Sequence, residues 1–273
     1  VIGLATDPTY FTFIMILAII ISIAYIWVGY YNSHKIALKS VNAKLASKTE
    51  YSEYHHIVEG LCLASGMPKP TLYVMENDSI NAFASGRDPQ NAVICVTRGT
   101  LYKLDKQELE GVLAHELSHI ANYDIRFMTL TAVLVGMIAI ISQIFLRSLF
   151  WSSLSGGGRD RDKTQIIFMI IGIILAILAP IAVMLVQLGI SRKREYSADA
   201  SAVKFVRSPT GLINALKKIQ KEHPSPRDIQ EQKKNINKAV APLFMSDPFK
   251  SKAQGLFQTH PPLDRRILTL ERM

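Results

Sequence analysis

The chain is short of cysteine, of acidic residues and of charge inside its apolar runs, and each shortage narrows what it can be. Its 2 cysteines, Cys62 and Cys95, form no CxxC pair. That argues against a disulfide-stapled secreted domain and against a zinc site closed by cysteines, and it fits a reducing compartment. Acidic residues number 22 against 31 Lys and Arg, for a formal net charge of +9 at pH 7. A basic surplus suits nucleic acid or an anionic membrane surface. No nucleic-acid-binding motif is present and the bases gather beside apolar runs, so a lipid bilayer is the expected partner and nucleic acid is not.

Three stretches hold no Asp, Glu, Lys, Arg or His: about Tyr10 to Tyr30, Phe127 to Leu146 and Ile166 to Ile190. Each reaches the roughly 20 residues that a helix rising 1.5 Å per residue needs to cross a bilayer. Their lack of charge argues against a transporter, which needs ionisable groups at membrane depth. Lys35, Lys39, Lys44 and Lys48 follow the first run, and Arg192, Lys193 and Arg194 follow the third, which puts both flanks on the cytoplasmic side. Arg147, Arg159, Arg161 and Lys163 between the second and third runs pull the other way.

The expected layout is a multi-pass protein of the plasma (inner) membrane. Residues 1–31 form a transmembrane helix, 32–126 a cytoplasmic catalytic part, 127–190 a transmembrane hairpin, and 191–273 a second cytoplasmic catalytic part. The chain opens on Val1, so an upstream segment is expected as well.

The segment between the first two runs alternates in a soluble manner. A helix is predicted over Tyr51–Ala64, strands over Thr71–Met75, Ile80–Gly86 and Ala92–Gly99, and a helix from Asp105 through His119 opened by a capping box of Asp105 and Glu108. REYSADASAVKFV continues as a helix after the third run, residues 222–251 read as a polar, Pro-punctuated excursion, and the tail after THPPLDRR reads as helical.

His115-Glu116-Leu117-Ser118-His119 is an HExxH pattern. Positions four apart on a helix share a face, so both imidazoles can reach one ion, and Glu116 beside the first can act on a water held there. Catalytic zinc takes three protein ligands and keeps one position open. No histidine stands where an HExxHxxGxxH extension would place the third, so a carboxylate on another helix is the natural choice, and Glu195 in EYSAD is such a group.

HELSHIANYD, two apolar runs, REYSAD and THPPLDRR together resemble the HtpX-type membrane metalloproteases, relatives of the CaaX prenyl proteases, over essentially the whole chain. The resemblance implies an α+β membrane protein: a mainly helical, zincin-like catalytic domain with a small β-sheet and three transmembrane helices, four in the full-length chain. It implies one Zn2+ per chain held by His115, His119 and Glu195, with Glu116 as base. Asp199 would orient a ligand imidazole, and His260 and Arg266 would stabilise the oxyanion; Asp124, a turn or so past His119, is placed to serve as Asp199 does. The strand around Asn81, Ala82, Phe83 and Ala84 would take an extended substrate at its edge. The substrates implied are misfolded or damaged membrane proteins, or unfolded ones. Processing of prenylated CaaX-type peptides and a non-enzymatic zinc-binding membrane protein are the alternatives. No feature of the sequence specifies an oligomeric state.

Overall fold

The computed structural model describes residues 8–128, 173, 192–222, 244 and 261–273. The chain divides into two compact units, one of residues 1–32 and 133–183 and the other of residues 33–132 and 184–273. In the first unit the described element is the N-terminal part of helix α1 (Pro8–Ser40), on which Ile20, Ile21, Ile23, Trp27 and Val28 are exposed.

Among the described residues no helix is long and apolar enough to cross a membrane, which corrects the expected architecture of three visible transmembrane helices. The first expected span is not an element of its own. It lies within α1, which runs on past Tyr30 through Asn32, His34, Lys35 and Lys39, and the polar continuation is as helical as the apolar start. The spans expected at 127–146 and 166–190 lie outside the described residues, apart from residues 127, 128 and 173. The remainder of the expectation, helices around a small sheet, agrees with the structure.

The second unit carries a four-stranded sheet of β1 (Lys44–Leu45), β2 (Thr71–Met75), β3 (Ala82–Gly86) and β4 (Ala92–Thr97), in the order β1-β2-β4-β3. β2 and β4 run parallel, while β1 and β3 pair antiparallel on the outside. Both faces of the sheet are covered, which is why AVICV is an unbroken apolar run rather than an alternating one. Leu72, Val74, Ala82, Ala84, Ile94 and Val96 face one core, and Met75, Phe83, Val93 and Cys95 face another with Ala37, Leu38 and Phe244.

The first core is closed by α2 (Ser52–Ser65), α4 (Lys106–Ala121) and α6 (Thr210–Lys221). A short α3 (Arg98–Lys103) follows β4 directly, residues 192–206 form α5, and α7 (Leu263–Leu270) ends the fold. α4 begins on the capping box read in the sequence, with Glu108 N–H donating to Asp105 Oδ1 and Asp105 N–H to Glu108 Oε2, each at 2.9 Å. Satisfying two end donors reciprocally contributes about 1 kcal/mol and sets the helix phase. That phase buries Leu113, Leu117 and Ile120, roughly 1.5–3 kcal/mol apiece, and turns His115 and His119 inward with them.

α6 lies against α4 at Gly111 and Gly211. A Cβ at Gly111 would stand 2.5 Å from the Leu212 nitrogen, and one at Gly211 would stand 2.1 Å from the Gln107 oxygen. Only glycine at both positions lets the two backbones come this close.

Candidate metal centre

Three helices supply the polar heart of the second unit. α4 brings His115, Glu116 and His119, α5 brings Glu195 and Asp199 one turn apart, and α7 brings Arg266, and each of these residues is buried. On α7 the pattern Leu263, Arg266, Ile267, Leu270 is an apolar stripe of helical spacing in which one position is an arginine.

The ligand-type atoms of His115, His119 and Glu195 all lie within 4.8 Å of one another. The two Nε2 atoms are 3.2 Å apart, His115 Nε2 is 3.6 Å from Glu195 Oε2, and His119 Nε2 is 3.5 Å from Glu195 Oε1. Donors about 2.0–2.1 Å from a tetrahedral ion stand roughly 3.3 Å from each other, so this spacing fits a divalent cation with two nitrogen ligands and one carboxylate.

Each imidazole is oriented from behind. Asp199 Oδ1 lies 3.0 Å from His115 Nδ1 and Asp124 Oδ2 lies 3.0 Å from His119 Nδ1. A carboxylate on Nδ1 holds the proton there and leaves Nε2 as the ligand atom, the usual support for histidines at a metal. Arg194 adds a partner for Asp124 at 3.8 Å while its guanidinium stacks on Phe127.

Arg266 is fully buried and works as a clamp. Its Nε and Nη2 donate to the two oxygens of Asp199 at 2.9 and 2.6 Å, and its Nη1 lies 3.0 Å from Glu195 Oε2. These carboxylates keep its guanidinium charged despite burial, pushing its pKa above the usual arginine value. In return Arg266 and His115 hold Asp199 below the ordinary carboxylate range although burial opposes this. Burial and Arg266 would also discharge His115, but the carboxylates of Asp199 and Glu195 outweigh them and raise it to about 9 in the metal-free chain. The cluster is an anionic hole whose charge a proton on His115 offsets, and a divalent ion is the natural replacement for that proton.

Glu116 is buried on the same helix, close enough that its charge helps raise the pKa of Tyr54, whose phenol is lifted mainly by burial and donates to the Ile94 carbonyl at 3.1 Å. Asn81, Ala82, Phe83 and Ala84 are buried along β3 and its lead-in. His260 lies outside the described residues. The resemblance gives Arg266 and Asp199 different tasks, whereas the structure joins them in one ion pair. The lone cation in the apolar stripe of α7 is the signal that could have paired them.

The model of peptidase family M48 matches residues 48–273. The chain belongs to peptidase family M48, and it is a metallopeptidase. It is 46% identical over 263 residues to a protease HtpX homolog of Thermoanaerobacter pseudethanolicus, an alignment covering 95% of this chain and 84% of that protein. Against a protease HtpX homolog of Dictyoglomus thermophilum it is 43% identical over 245 residues, 90% of this chain and 77% of that one. The crystal structure of S. mikatae Ste24p shares the fold, with a TM-score of 0.55 at 22% identity over 98% of this chain, which spans 60% of that longer chain.

Proposed function

We propose that this metallopeptidase is a zinc-dependent endopeptidase in which His115, His119 and Glu195 hold one ion and Glu116 is the general base. The observation that carries the reading is the convergence of two imidazole nitrogens and one carboxylate, from helices 76 positions apart between His119 and Glu195, at the spacing of a single coordination sphere. Two nitrogens and one carboxylate form a common zinc-hydrolase donor set with a position to spare. When bound, the ion supplies Lewis acidity that polarises a peptide carbonyl and acidifies water.

The chain's own groups do the rest. Glu116 takes the proton from the attacking water as its oxygen bonds to the carbonyl carbon, then delivers that proton to the amide nitrogen as the C–N bond breaks. Asp199 and Asp124 keep the ligand imidazoles in the Nδ1–H tautomer. Arg266, with its donors directed at Asp199 and Glu195, positions ligands rather than meeting the oxyanion.

β3 is the outermost strand, and Thr97 N–H donates to the Asn81 carbonyl at 2.9 Å. With Ala82 opposite Val96, the antiparallel alternation turns the backbone groups of Ala82 and Ala84 away from β4, toward the side that no strand among the described residues occupies and where an extended peptide can pair once it displaces Asn81 Oδ1, which accepts the Ala82 N–H at 3.0 Å. The exposed apolar side chains of α1 and the lysines after them favour a site at a membrane surface on the cytoplasmic side, acting on misfolded membrane proteins.

Glu116→Gln tests the chemistry. The variant should retain about one equivalent of zinc and lose at least ~100-fold in peptide hydrolysis, the usual contribution of a positioned acid–base group. Hydrolysis at the parent rate would refute the assignment of Glu116. A prenylated peptide supplied beside an unfolded membrane protein distinguishes CaaX-type processing, which should be the slower of the two.

A further inference from the structure

Glu222 stands at the C-cap of α6, where the helix dipole disfavours a carboxylate. Its placement there is explained by what it holds. Oε2 accepts the N–H of Ile80 at 2.7 Å across 142 positions of sequence, and Oε1 pairs with the Lys103 ammonium of α3. Ile80 lies two residues before β3 begins.

The segment it grips is tightly framed elsewhere as well. Ser79 N–H donates to Asn77 Oδ1 at 2.8 Å, Asn81 N–H donates to Thr100 Oγ1 at 2.8 Å, and Thr97 Oγ1 donates to the Ser79 carbonyl at 2.6 Å. Every one of those partners comes from the segment itself or from the β4–α3 corner. Glu222 brings a charged hydrogen bond from the α6 side, and α6 is fixed to α4 by the glycine approach at Gly111 and Gly211 and by Lys218, which donates to Glu108 at 2.5 Å and to the Lys103 carbonyl at 3.1 Å. The connection therefore runs from the ligand helix α4, through α6, to the backbone at the head of the edge strand.

We infer that Glu222 is a positioning residue that sets the outer edge of β3 at the working distance from the metal ligands on α4, and so governs the binding of extended peptides rather than bond cleavage itself. This rests on the reading that substrate pairs with β3. Losing the carboxylate frees one anchor of the Ile80–Asn81 backbone while the centre of α4, α5 and α7 keeps all its contacts.

The test uses the purified full chain loaded with zinc, a peptide of about eight residues and a blocked peptide of about three that spans little beyond the scissile bond. Glu222→Ala should raise KM for the long peptide about tenfold, the effect of losing a charge-assisted hydrogen bond. Its kcat, bound zinc and KM for the short peptide should stay within about twofold, since no ligand contact changes. Glu222→Gln, whose amide oxygen can still accept from Ile80, should recover most of the loss. Equal KM changes for both peptides, loss of zinc, or a Gln variant as impaired as Ala would overturn the inference.

Ala84→Pro separates the two levels, because it removes an outward N–H of an edge strand at no expense to the ladder. If it raises KM for the long peptide and Glu222→Ala does not, Glu222 has no such role and the strand reading stands. If neither changes KM, the strand reading itself fails, and this inference with it.

Discussion

Two regions of the second unit bury polar groups with opposite chemistry. At the metal centre the buried groups are formal charges: Glu195, Asp199 and Asp124 against Arg266, with His115 raised toward the charged form. At the head of β3 they are neutral hydroxyls and an amide, Thr97, Thr100 and Asn81, exchanging short hydrogen bonds with one another and with the backbone. Taking a charge out of water costs several kcal/mol even after relaxation, and a hydroxyl costs far less. Buried formal charge is concentrated where a cation must be held, and the neighbouring backbone is shaped with neutral groups. Glu222 stands between the two conditions, a charge set where backbone geometry is at stake.

The largest expected effect would break the charged region. Arg266→Ala leaves Asp199 and Glu195 buried without their cation, so unfolding free energy in denaturant should fall by about 3–5 kcal/mol, with metal retention weakened as well. The matched change in the neutral region, Thr100→Val, deprives Asn81 of a partner and should cost about 1–3 kcal/mol while leaving bound metal unchanged. Similar losses from both, or metal loss from the Thr100 change, would mean the two regions do not differ as described.

Gly211→Ala tests the connector, since its Cβ would meet the Gln107 carbonyl. A loss of about 1–3 kcal/mol is expected from forcing α6 off α4, read as a lowered thermal midpoint.

Acid and base sharpen the contrast further. A histidine raised to about 9 in the folded, metal-free chain stabilises it fully below the ordinary value of 6.5, and that stabilisation is lost as pH rises through about 9. Chelated protein should therefore become less stable between pH 7 and 9.5. Zinc uptake at pH 7 should release a proton, which calorimetry in two buffers of different ionisation enthalpy would detect. The smallest effect is expected at the exposed pair of Lys217 and Glu271, where Lys217→Ala should shift stability by no more than about 1 kcal/mol.

Local pattern was legible where one interaction dominates. Thr71–Met75 is β2, the helix predicted over Tyr51–Ala64 is Ser52–Ser65, and the Asp105/Glu108 box opens α4. β1 pairs only two residues, Lys44 and Leu45, too few for periodicity to register. α6 is not among the elements the sequence predicts although Leu212, Ile213, Leu216 and Ile219 form its buried face, since Pro209 and Gly211 at its start are turn-type residues. Glu222, first residue of the polar excursion in the sequence, is the C-cap of that helix. The first apolar run illustrates the converse: it is long enough to cross a bilayer by itself, while α1 continues through it into polar sequence. Side-chain pairing across 67 positions, as between Asp199 and Arg266, leaves only the trace of a lone cation in an apolar stripe, and which carboxylate it meets depends on how α5 and α7 pack.

Metal content by mass spectrometry of the purified parent, His115→Ala and Glu195→Ala proteins probes the shared ion most directly. One equivalent in the parent and its loss from both variants is the expected result. A Glu195→Ala protein that keeps a full equivalent with undiminished affinity would contradict a site built from α4 and α5 together.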